Sequence, residues 1–182
     1  LEYVVIAVLT ALAAANTFFY IRLRLTHHNL RAQPILAAFL PFLVYTVCVL
    51  VFHWAVPTHV LLWAMAAQFV QTCFGYYLDR FERSARFDRY MHVLMCFAYS
   101  LLLFSTLTAL SGGTISRLYA ALFVFTIGLS VGVVVELFEF VADRWSKSPI
   151  RHQKGLRDTD MDMVSNAIGS VLAGFYAYLF LG

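Results

Sequence analysis

Six long apolar runs, separated by short polar segments, set the pattern of this chain. The runs fall at about 1–21, 34–52, 58–78, 90–110, 118–142 and 161–181. Crossing a hydrocarbon layer of about 30 Å takes roughly 20 helical residues, so each run has the length of a membrane span. The breaks are chemically distinct: RLRLTHHNLRAQ, HWAVP, DRFERSARFDR, SGGTISR and DRWSKSPIRHQKGLRDTD. Pro34 suits the first turn of the second span, and Pro57 separates the second from the third. The opening LEYVVIAVLTALAAANTFFYI has no basic segment ahead of its apolar run, so it reads as a transmembrane helix and not as a signal peptide. The pattern predicts an all-α fold, a polytopic transmembrane bundle of about six helices forming a single integral membrane domain over residues 1–182.

Composition agrees with lipid as the main solvent. Of the 182 residues, 62% are hydrophobic and 13% charged, against about 25% charged in a soluble domain. Mean hydropathy is +0.76. Charge then orients the spans. If they alternate, the segments at 22–33, 79–89 and 143–160 share a side and hold twelve of the thirteen basic residues, Arg117 being the exception. Positive charge in short loops marks the cytoplasmic face, which predicts a multi-pass protein of the cytoplasmic (inner) membrane with both termini on the non-cytoplasmic side. Those basic loops would lie against anionic inner-leaflet lipid; they are too short and too close to the bilayer to suggest a nucleic-acid partner.

Carboxylates inside apolar spans are costly and therefore informative. Nine of the ten acidic residues lie toward the basic side, Glu2 being the exception. In FDRYMH, Asp88 and His92 are four apart and share a helix face, with Arg89 beside them. The structural alternative there is a capping Asp88 and a buried, hydrogen-bonding His92. In VVVELFEFVADRW, Glu136, Glu139 and Asp143 line one stripe. The apolar IGLSVGVVV before them places Glu136 roughly two turns inside the hydrocarbon edge. A carboxylate at that depth must be protonated, paired or metal-bound, whereas Asp143 suits a solvated helix end.

The third group is GLRDTDMDMVSNAIGSVLAGF. A calcium loop starting at Asp158 needs Gly and Glu at its sixth and twelfth positions, where this chain has Met163 and Gly169. On a helix, Asp158, Asp162 and Asn166 share a face and Asp160 points away. Gly169, Ser170, Ala173 and Gly174 form a small-residue face suited to close helix packing. The three groups end at one depth on one side, and predict a cytoplasm-facing cavity of His92, Glu136, Glu139, Asp158, Asp162 and Asn166. Oxygen donors with one imidazole suit a divalent cation such as Mg²⁺, Mn²⁺ or Zn²⁺. A metal-free hydrogen-bonded cluster fits the same residues.

The remaining candidates are bland. His27, His28, His53, His59 and His152 lie in or beside loops, without haem-ligand context, and no nucleotide motif is present. Cys48, Cys73 and Cys96 sit singly within apolar runs, the pattern of small buried residues and not of a disulfide or zinc framework.

Taken in order, FDRYMH, ELFEF and RDTDMDMVSNAIGS resemble the (Y/F)DRxxH, ExxEW and WDTQxDM blocks of YjdF-like inner-membrane proteins, over about residues 79–175. DMVSNAIGSVLAG also resembles the Asp-x-x-x-Asn-x-x-Gly block of VanZ-like proteins. The shared pattern falls on Asp88, Arg89, His92, Glu136, Glu139, Asp158, Thr159, Asp162 and Gly169, with departures at Phe140, Arg157 and Asp160. The resemblance implies a shared polar core. VanZ-like proteins are associated with resistance to glycopeptide antibiotics of the teicoplanin type, which implies envelope or lipid chemistry.

The resulting expectation is a membrane protein that acts on, or binds, a lipid or lipid-linked envelope substrate. As an enzyme it would be a metal-dependent hydrolase or transferase, with His92, Glu136, Glu139, Asp158 and Asp162 both holding the metal and carrying catalysis. Arg89 and Asn166 would contact substrate. The alternatives are a small ion-coupled transporter, since buried carboxylates with a histidine also form proton relays, and a non-catalytic membrane-organising protein.

Overall fold

Lipid cannot satisfy a bare peptide group, so an apolar run in a membrane satisfies its own backbone by forming a helix. A computed structural model, which describes residues 2–113, 115–145 and 153–182, is helical throughout its regular structure. The helices are α1 (Glu2–Leu25), α2 (Asn29–Val51), α3 (Thr58–Val70), α4 (Arg80–Arg83), α5 (Ala85–Ser111), α6 (Arg117–Trp145) and α7 (Leu156–Phe180). Five of them, α1, α2, α5, α6 and α7, are long and apolar enough to cross a membrane. The third predicted span is also helical, but in two parts. The 13 residues of α3 run without a break into a seven-residue π-helical segment, Gln71–Tyr77.

Helix ends follow local chemistry. The Ser84 side chain accepts from the Phe87 N–H (3.2 Å) and starts α5. Gly112, at φ +66°, ends it in the left-handed conformation that glycine adopts without strain. Helix α2 begins at Asn29, so Pro34 lies inside the helix and not in its first turn. Its early turns are held by packing: Ala32 and Ile35 are fully buried with Phe19 and Leu23 of α1.

Packing divides the chain into two units. The first comprises Leu1–Met91 and Ser105–Gly113, the second His92–Phe104 and Thr114–Gly182, so α5 supplies residues to both. In the first unit aromatic rings seal the helix contacts. Phe19 stacks on Tyr77 at 4.6 Å and Tyr76 lies 5.0 Å from Phe81; the Phe81 ring occupies the space a Cβ at Gly75 would need. Asp79, in a left-handed turn after the π-helical segment, is flanked by Arg31 (3.3 Å) and Arg83 (3.2 Å). Buried Asn16, Thr46 and Thr72 each donate to the carbonyl four residues back.

The second unit is built on small residues. A Cβ at Gly128 would collide with the Ser170 hydroxyl, and one at Gly132 would lie 2.7 Å from Asn166 Cβ. Helices α6 and α7 therefore run antiparallel with Gly128 opposite Ser170 and Gly132 opposite Asn166, four residues on in one helix and four back in the other. On the other flank of α7, a Cβ at Gly169 would meet the Val93 carbonyl oxygen of α5. Edge-on ring pairs, Phe97 with Tyr176 (5.5 Å) and Phe104 with Phe123 (6.1 Å), continue the packing away from this seam.

Candidate metal centre

The antiparallel register of α6 and α7 dictates what comes next along the seam. One turn beyond Gly132 and Asn166, the facing residues are Glu136 and Asp162. His92 enters from α5, whose Val93 backbone is brought up against α7 by Gly169. His92, Glu136 and Asp162 are 8%, 6% and 3% exposed. One donor atom from each lies within 4.8 Å of the other two. This buried group of one imidazole and two carboxylates can hold a metal ion. All three residues sit roughly two turns in from their helix ends, at the starts of α5 and α7 and the end of α6.

Two carboxylates so close and so dry repel one another when both are ionised, and each carries a desolvation cost of several kcal/mol. A divalent cation removes both problems at once; a shared proton or an imidazolium removes part of them. The His92 Nδ1 lies 3.9 Å from Glu136 Oε1, within reach for ion pairing but too long for a hydrogen bond. That nitrogen instead lies 3.1 Å from Asn166 Oδ1. Asn166 is 2% exposed, and its Oδ1 also accepts from the Cys96 thiol (3.1 Å). Beneath Glu136, the Gln153 side-chain amide donates to its carbonyl oxygen (3.2 Å), and the Gln153 N–H donates to Asp143 Oδ2 (2.9 Å).

The other predicted site residues are placed as follows. Glu139 is half-buried, nearly one turn beyond Glu136 on α6. Asp158 is half-buried one turn before Asp162, and its Oδ2 accepts from the Lys154 N–H (3.2 Å). Asp160 is exposed, on the opposite side of α7 from Asp162. Arg89 is half-buried nearly one turn before His92 on α5. Lys147, Arg151 and His152 lie outside the described residues.

Four contributors escape a reading of the sequence. Cys96 passes for a small buried residue, although it follows His92 by one turn and was findable by that spacing. Gly128 and Gly132 precede Glu136 at intervals of four, the counterpart of Ser170, Asn166 and Asp162; the paired spacing was visible, but its register was not. Gln153 has no sequence signal, because it reaches Glu136 from the connection between two helices.

Comparison with known proteins agrees with the membrane character. No solved structure matches the chain. A relative from Thermotoga maritima, described as an uncharacterized protein, is 26% identical over 117 residues, which is 64% of this chain and 60% of that protein. The aligned stretch thus spans under two thirds of the relative's length. A family model described as Predicted membrane protein (DUF2238) matches residues 3–182. With that match over almost its whole length, and with five helices long and apolar enough to cross a bilayer, the chain belongs to this family of predicted integral, multi-pass membrane proteins.

Proposed function

We propose that this protein is a metal-dependent membrane enzyme of the hydrolase or transferase class, acting at an inner-membrane surface on a lipid or lipid-linked envelope substrate. The observation that carries the proposal is the meeting of His92, Glu136 and Asp162, from three helices, within 4.8 Å of one another and buried. A divalent cation held there would polarise a phosphoryl or carbonyl oxygen, or lower the pKa of a water. Depth supports the substrate class. Roughly two turns inside the helix ends, the site is within reach of a polar headgroup whose apolar tail stays in the bilayer. The similarity of the motifs to YjdF-like and VanZ-like blocks supports envelope chemistry. The distribution of basic residues supports a cytoplasm-facing site.

The test is metal content. Protein purified in detergent is expected to carry about one equivalent of a divalent metal by elemental analysis, or to take it up on titration with Zn²⁺ or Mn²⁺. His92→Ala and Asp162→Asn should lose it while retaining helical circular dichroism. A wild-type protein that neither carries nor binds a divalent metal would refute the metal reading and leave the trio as a proton-relay cluster.

A further inference from the structure

We infer that Gln153 is a positioning residue that holds the Glu136 carboxylate in place for a cation. The inference deepens the metal reading above and rests on it for the identity of the ion. Gln153 Nε2 lies 3.2 Å from the main-chain carbonyl oxygen of Glu136 and makes a longer approach, 3.5 Å, to Glu136 Oε2. A carbonyl oxygen only accepts, so the amide must present its NH₂ group there; the reverse placement would set two oxygens against each other. One amide therefore bridges the backbone and the carboxylate of a single residue. The other carboxylate oxygen, Oε1, is the one that lies 3.9 Å from His92 Nδ1. Gln153 and His92 thus approach different oxygens of one carboxylate, and Gln153 fixes which of the two turns toward His92.

The place of residue 153 is set by its backbone and not by its side chain. Its N–H donates to Asp143 Oδ2 of α6 (2.9 Å), and the next N–H, of Lys154, donates to Asp158 Oδ2 of α7 (3.2 Å). Asp143 lies seven residues, about two turns, beyond Glu136 on α6. The glutamine side chain covers the distance back along the helix that the backbone leaves open. Half-buried itself, it stands between Glu136 and the end of α6.

Charge explains why an amide serves better here than a basic side chain. Two carboxylates, a neutral imidazole and a divalent cation sum to zero, the least costly total in a low-dielectric site. A lysine or arginine at 153 would add a positive charge and compete with the ion for Glu136. Glutamine donates without adding one. Hydrogen bonds of this kind, to a carboxylate that ligates, are the usual support behind a metal site.

The experiment starts from metal-free protein in detergent, with ¹⁵N NMR of labelled glutamine side chains. The Gln153 amide is identified by its loss in Gln153→Met, which keeps the length of the side chain and removes the donor. Its signal should move in Glu136→Ala, where the carboxylate is gone and the carbonyl remains, and should move less in Glu139→Ala. A signal that stays in place in a folded Glu136→Ala, or that moves as far in Glu139→Ala, would overturn the contact. Metal titrations then test the role. Gln153→Met should bind Zn²⁺ roughly 10–100-fold more weakly than wild type, and its Co²⁺ form should show displaced visible bands, because Glu136 meets the ion differently. A residue that only supports the fold would lower the melting temperature and leave the Co²⁺ spectrum as it is, so equal affinity or an unchanged spectrum overturns the positioning role. Failure of the wild type to bind any divalent metal refutes the metal reading alone, and the metal-free amide signals then decide by themselves whether Gln153 holds Glu136.

Discussion

The two packing units meet the same problem, polar groups among apolar helices, and solve it differently. In the first, helix contacts are filled by rings such as Phe19, Tyr76, Tyr77 and Phe81, and the paired carboxylate of Asp79 sits at a turn between Arg31 and Arg83. Buried Asn16, Thr46 and Thr72 donate to their own helix backbone. In the second, Gly128, Gly132 and Gly169 let backbones approach, and the buried polar groups face one another across helices. The first unit combines ring-filled contacts and local polar pairing with a neutral pair across helices, Tyr45 with Thr106. In the second unit Ser100, Ser165 and Ser170 also donate to their own helix backbone, but the small contacts bring helices close enough for ionisable and amide groups to face one another. Among the described residues, the buried imidazole–carboxylate group arises from the second arrangement.

Substitutions in the seam should test that difference most severely. Gly132→Leu would drive a side chain into Asn166; overpacking of this kind costs about 1–3 kcal/mol, occasionally more. The expected outcome is a lowered melting temperature in detergent together with loss of metal uptake. A variant that kept both would show that the glycine seam does not set the site.

His92→Ala comes next. It should lower the melting temperature by a few degrees, because a buried ring beside Asn166 is lost, and weaken Zn²⁺ binding beyond the roughly 100-fold upper range of outer-shell changes, measured by competition with a chromophoric chelator. Retained affinity would exclude His92 as a ligand. Acidification should act in the same direction but reversibly: protons compete for the imidazole and both carboxylates. Dialysis from pH 7.5 to pH 5 should release bound metal, and return to pH 7.5 in its presence should restore it.

The smallest effect belongs to the first unit. Asp79→Asn tolerates the left-handed backbone at this position (φ +63°) and removes only partly exposed ion pairs, worth at most about 1 kcal/mol. A change of a few degrees in melting temperature is expected, with metal binding as in the wild type. A large loss of metal binding in this variant would contradict a site contained in the second unit.

Residues differ in how legible they were. Glu136 declared itself by sitting two turns inside an apolar run, where no solvated role exists, and it is buried. Helical phase separated Asp160 from Asp162, and the two are exposed and buried respectively. Phase could not rank Glu139 against Glu136, because the two lie on overlapping faces of α6 and only the approach of α7 shows which one it covers. Cys96 looked inert because a thiol in an apolar helix has no polar company in sequence; its partner, Asn166, lies 70 residues away.

Taken alone, the amino-acid order determined where the helices lie and which faces are polar. A bilayer requires each segment to satisfy its own backbone, and that requirement is local. It also placed most carboxylates beside the basic loops in the sequence, because charge in short loops is local too. Tertiary structure decided which of those carboxylates share a site. That choice depends on the register of α6 against α7 and on the distance of α5, and both follow from side-chain volume at Gly128, Gly132 and Gly169 meeting partners distant in the chain.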